Sequence, residues 1–186
     1  MGYIFAASLF PLAHLGALTS VTRWILLWLG LQRMCAVHPR FAQVRPWLLG
    51  AIAADGLALI CKAASLPPAV RFLLDAVQGA LWLYTWYLIY RALRAMEPIY
   101  GDLHGRALIG LWRTSAGVWL YSFCVPVLGL TSVALLRAGT VLYKAGGISL
   151  CVLRAVWLYR AWRDYTVRAR QLASIYAISP EEEEDT

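Results

Sequence analysis

Five long apolar stretches, separated by four short polar breaks, pattern this chain. They cover residues 2–34, 47–64, 68–95, 106–136 and 141–157. Each is close to or beyond the roughly 20 residues, within a range of about 17–25, that a helix needs to cross bilayer hydrocarbon. Hydrocarbon offers no hydrogen-bond partner to the backbone, so such runs must satisfy their own peptide groups as helices. The pattern predicts an all-α, polytopic integral membrane bundle of about five transmembrane helices. Residues 1–175 would form one domain. Residues 176–186 end in Glu-Glu-Glu-Glu-Asp-Thr and have too little apolar content to pack, so they read as a disordered tail.

The breaks refine the picture. Pro11 suits the first turn of a span, where a missing N–H costs little, so residues 2–10 read as an interfacial lead-in. Splitting the first run near Thr19 would leave a second piece too short to span. Pro67 and Pro68 mark a tight turn, and Pro68 can start the third helix. Pro126 predicts a kink in the fourth run. Residues 137–140, Arg-Ala-Gly-Thr, read as the next turn, with Gly139 ending a helix. The fifth run continues past Trp157 as a basic amphipathic helix carrying Arg160, Arg163, Arg168 and Arg170.

Composition supports lipid as the solvent. The chain is 61% apolar and 15% charged, with a mean hydropathy of +0.61, against about 45–50% and about 25% for soluble domains. Its net charge is +7, yet five of its ten acids lie in residues 181–185, leaving 17 bases against five acids elsewhere. In a soluble domain that surplus would point to nucleic acid. Here the bases sit at the ends of apolar runs, so the expected partner is the bilayer and not nucleic acid. Arginines gather after the first run (Arg33, Arg40, Arg45), after the third (Arg91, Arg94, Arg106) and after the fifth. All three regions fall on one side of a five-span bundle. The positive-inside rule then predicts a multi-pass protein of the cell membrane with its C-terminus cytoplasmic and its N-terminus outside. With no basic n-region and no small-residue cleavage site after Leu12, the first run reads as mature membrane domain.

Charges inside the spans are the candidate chemistry, since an ionised side chain in hydrocarbon is costly unless paired or wetted. Asp55 and Lys62 share one face of the second span. Arg71, Asp75 and Gln78 follow i, i+4, i+7 on the third, and Lys144 and Arg154 share a stripe with Gly147 and Cys151 on the fifth. With Arg23 these predict two ion-pair layers. In the inner layer Asp55 pairs with Arg23 or Arg154; in the outer layer Asp75 pairs with Lys62, Arg71 or Lys144. Bases outnumber acids, so at least one cation is left for water, backbone carbonyls or an anion. The candidate pathway residues are therefore Arg23, Asp55, Lys62, Arg71, Asp75, Gln78, Lys144 and Arg154. Set against this, Lys62, Arg71 and Lys144 can snorkel to the interface, and the acids can act only as helix glue.

Catalytic signals are absent. No zinc-protease, nucleophile-elbow or phosphate-loop motif occurs. The four cysteines, at 35, 61, 124 and 151, have no metal-type spacing. His38 and His104 could meet beside Asp102 and Glu97, but solvated loop histidines are the plainer reading. No cofactor, metal or catalytic residue is expected. The functional expectation is a transport- or ligand-binding-type protein or subunit, acting on an anionic small molecule or lipid headgroup. The alternatives are a structural or regulatory subunit, with a membrane-protein partner or a second copy, and a lipid-acting integral membrane enzyme.

Overall fold

Leucine and alanine, both good helix formers, are the commonest residues of the apolar runs, so each run folds on itself as a helix. In the computed structural model, residues 1–9, 17–63 and 67–178 are described. They form α1 (Gly2–Leu9), α2 (Ala17–Val37), α3 (Val44–Ala63), α4 (Pro68–Tyr100), α5 (Gly105–Thr131) and α6 (Val133–Ile178), with a 3-10 turn at Pro39–Gln43 between α2 and α3. No strand occurs among the described residues. Among them, three segments are long and apolar enough to cross a membrane: Pro39–Cys61, Ala69–Tyr100 and Val133–Ile175. Residues 176–178 of the expected tail belong to α6; residues 179–186 and Pro11 lie outside the described residues.

Successive helices pack as antiparallel hairpins. On α3 and α4, Trp47 meets Tyr84 edge-on at 4.5 Å. On α4 and α5, Phe72 meets Phe123 at 5.2 Å, and Trp112 Nε1 donates to the Leu83 carbonyl. On α5 and α6, Val118 faces Gly146. The chain ends of this stack therefore alternate. One end carries the α2–α3 and α4–α5 connections and the arginine-rich part of α6. The other carries the α3–α4 and α5–α6 turns.

Three expectations need correction. Residues 2–10, expected as an interfacial lead-in to the first span, instead carry α1, a separate helix folded back on α2. Gly30 makes room for it, because a Cβ there would come within 2.8 Å of Ile4 Cγ1. The remaining helix, α2, has 21 residues, about 31 Å at 1.5 Å per residue. This fold-back sets Tyr3 under the Arg33 guanidinium and Gly2 against Trp162. Met1 thus lies at the arginine-rich end, not at the opposite one.

The α5–α6 turn is the third correction. Helix continues through Pro126 and breaks only at Ser132, while residues 137–140 lie inside α6. Ser132 caps the new helix by accepting the Ala134 N–H through its hydroxyl, as serine does at an N-cap. A single interior glycine such as Gly139 costs a helix only about 1 kcal/mol, too little to end it against that cap.

The packed core lies toward the arginine-rich end. Phe41, Leu48, Tyr90, Leu93, Met96, Leu103, Leu108 and Leu158 are fully buried there. Toward the other end, Phe72, Leu73, Val77, Val133 and Val141 are exposed, and the helices enclose a cavity.

Candidate functional site: a polar knot beside an aromatic cavity

Asp55 lies near the middle of α3, about 16 Å from its start. It is 2% exposed. A buried carboxylate without partners would cost several kcal/mol, and here four donors converge on it. Arg23 Nη2 (2.7 Å) and Trp24 Nε1 (2.8 Å) donate to Oδ2. Gln78 Nε2 and Trp82 Nε1 donate to Oδ1, the latter at 2.8 Å. These come from α2 and α4, so one carboxylate ties three helices together. The Arg23 guanidinium also stacks over the Trp82 ring, 4.2 Å from its centroid, which adds a cation–π attraction at a desolvated site. Its Nε is buried without a hydrogen-bond partner among the described residues.

Beside this knot is a cavity of about 600 Å³. Arg23, Gln78 and Trp82 form its border with Asp55. Phe72, Asp75, Trp86, Trp119, Phe123, Tyr143 and Arg154 are among the other lining residues. Trp119 is held by a close approach that only glycine permits. A Cβ on Gly79 would fall 2.2 Å from the Trp119 indole nitrogen.

Arg154 reaches the cavity from α6. It donates to Ser115 Oγ at 3.3 Å and lies over the Trp86 ring at 5.2 Å. The buried Tyr90 hydroxyl, which makes no hydrogen bond of good geometry, lies near the same guanidinium. Among the described residues, no carboxylate pairs with Arg154. The two guanidiniums therefore differ. Arg23 is neutralised by a buried acid, and Arg154 is held by a hydroxyl and an aromatic face.

The structure thus brings Arg23, Asp55, Gln78, Asp75 and Arg154 to one place. Among the described residues no ion pair of the expected outer layer forms. Asp75 is exposed and borders the cavity, with no salt-bridge partner among the described residues. Arg71 is exposed and shares only a small recess with Asp75, Ala58 and Cys61. Lys144 is exposed and does not line the cavity. The Lys62 side chain lies outside the described part of the structure. For Arg71, one turn from the start of α4, the physical reason is location: near a helix end a long side chain reaches water at little cost; Lys144 lies eleven residues into α6, where that reason does not apply.

Sequence reasoning missed the tryptophans. Trp24 and Trp82 supply half of the donors to Asp55, and Trp86 carries Arg154. The signal was present, because Trp82 continues the stripe of Arg71, Asp75 and Gln78 on α4. Nor do the loop histidines meet. His38 Nδ1 accepts the Arg40 N–H, whereas His104 Nε2 contacts Asp164 Oδ2 at 3.1 Å and joins the α4–α5 loop to α6. Among the described residues, no three His, Cys, Asp or Glu side chains are grouped to hold a metal. Cys35, Cys61, Cys124 and Cys151 are free thiols. Compared with protein-family models, curated proteins and solved structures, the chain matches none.

Proposed function

We propose that this chain is a multi-pass membrane protein that binds or translocates an anion through the cavity bordered by α2, α4, α5 and α6. In this reading α2 to α6 cross the bilayer five times. The arginine-rich end and the C-terminus face the cytoplasm, in keeping with the positive-inside rule, and Met1 is on that side as well. The cavity then opens from the opposite, non-cytoplasmic half.

The observation that carries the reading is Arg154. It is a half-buried guanidinium on a cavity wall, served by a neutral hydroxyl and a ring face. A partly desolvated cation without a carboxylate partner among the described residues gains most from an anionic ligand, through charge-assisted hydrogen bonds. Arg23 is spent on Asp55 and contributes shape and dipole instead.

The test is ligand-dependent stability of the purified protein in detergent. A panel of inorganic phosphate, sulfate and aliphatic and aromatic carboxylates is screened by thermal unfolding. At least one anion should raise the melting temperature, since a ligand at 100 times its Kd adds about 2.7 kcal/mol. Arg154→Gln should abolish that rise and Lys144→Gln should keep it. No response to any anion contradicts the reading.

A second reading, a structural subunit, is favoured by the Asp55 knot, which joins three helices and needs no ligand. Under that reading Arg154→Gln leaves every property but stability unchanged.

A further inference from the structure

We infer that the cavity takes a flat aromatic monocarboxylate, a planar apolar body with a single anionic end, rather than an inorganic anion. This rests on the anion-binding reading above and adds the shape and charge of the ligand. Charge comes first. Of the cavity's two guanidiniums, Arg23 is already paired with Asp55 at 2.7 Å. One cationic charge, that of Arg154, is left for a ligand. Asp75 places a carboxylate on the same cavity, and like charges repel, so a second anionic group on the ligand is disfavoured.

The walls come second. Phe72, Trp82, Trp86, Trp119, Phe123 and Tyr143 all face this space. Phe72, Phe123 and Trp119 form an edge-to-face chain with centroid spacings of 5.2 and 4.8 Å. Trp82 and Trp86 lie one turn apart on α4, each beneath a guanidinium. A carboxylate on Arg154 therefore leaves the rest of the molecule among aromatic rings. A planar aromatic body stacks there and replaces poorly hydrated surface. A small hydrated anion would be desolvated against the same rings with nothing in return. The volume, about 600 Å³, falls in the range of about 300–1,000 Å³ that holds drug-sized organic molecules. Trp119 sets the width of the slot through its seat on Gly79.

The experiment is titration calorimetry of the full chain in nanodiscs, with empty nanodiscs as the blank. The probes are 2-naphthoate, its neutral counterpart 2-naphthalenemethanol, decanoate and inorganic phosphate. Binding of 2-naphthoate should weaken at least tenfold in Arg154→Gln and in Gly79→Ala, which drives the indole into the slot without changing a charge. Trp119→Leu, which removes a wall and creates no clash, should also weaken it and guards against a folding failure of the glycine variant. The neutral probe should bind at least tenfold more weakly than 2-naphthoate, and phosphate should not compete. Phosphate competing as well as 2-naphthoate, or decanoate binding more tightly, overturns the aromatic class and leaves the anion reading standing. Absence of binding by every anion, or indifference to Arg154→Gln, overturns both.

Discussion

The two ends of this bundle have the same kind of sequence and opposite packing. At the arginine-rich end, Tyr90, Leu93 and Met96 of α4 are sealed against Phe41, Leu103 and Leu158. About four to seven turns earlier on the same helix, Phe72, Leu73 and Val77 are exposed. Hydrophobicity does not distinguish the halves, so it does not decide what is buried. Apolar side chains are at ease in lipid as well as in a core, and helices pack where small residues and polar pairs bring them together. The closed end has those devices: α1 seated on Gly30, the 3-10 turn around Phe41, and Glu97 accepting the Gly105 N–H at 2.8 Å. The open half leaves space between its helices. Asp55, Arg23, Trp86 and Arg154 lie where the two regimes meet, so the rigid end positions the groups that the open end exposes.

The largest expected effect is at that junction. Asp55→Ala leaves Arg23 buried without its acid and removes the acceptor for three further donors. It should cost about 3–5 kcal/mol, as breaking a buried ion pair does, seen as a fall in melting temperature in detergent. Replacing both partners, Arg23→Met with Asp55→Leu, should cost less, because no charge is then left unpaired, although Trp24, Gln78 and Trp82 still lose their acceptor. Equal losses in the single and double variants would mean that packing, not charge pairing, holds the junction.

Next in size is the contrast between the halves. Leu93→Ala at the closed end should cost about 2–5 kcal/mol, since Leu93 is fully buried. Leu73→Ala on the same helix, at a position 63% exposed, should stay within about 0.5 kcal/mol. Similar values at the two sites would erase the distinction. The smallest effect belongs to the exposed bases. Arg71→Gln and Lys144→Gln should each change stability by less than about 0.5 kcal/mol and leave anion-dependent stabilisation intact. A larger loss would restore the outer ion-pair layer that the structure lacks among its described residues.

Much of the site could be read from spacing. Asp55 in one run, with Arg23 and Arg154 at similar depth in two others, named its own candidate partners, and Gln78 shared a stripe with Asp75. Periodicity fixes which residues share a face; it does not fix how far the helix is rotated toward its neighbours. For that reason the stripe on α4 was legible, yet it was Gln78 and Trp82 that met Asp55, while Asp75 was left on the cavity wall. The turn at Ser132 was hidden because one serine cap leaves a fainter mark than the Arg-Ala-Gly-Thr segment that mimicked a break. The fold-back of α1 depends on a groove at Gly30, a tertiary feature that a run of apolar residues does not announce.

The central claim is that Arg154 makes its own part of the cavity wall electropositive, although Asp75 borders the same space. Cys151, a half-buried free thiol on the cavity wall one turn from Arg154, is a native reporter of that field. In a variant keeping only this cysteine, sealed vesicles of known orientation are treated with membrane-impermeant methanethiosulfonates of either charge from the side that faces the end opposite the arginine-rich loops. The account predicts that the anionic reagent modifies Cys151 at least several-fold faster than the cationic one, and that Arg154→Gln removes the preference. Faster modification by the cationic reagent, or the same preference with and without Arg154, would contradict it.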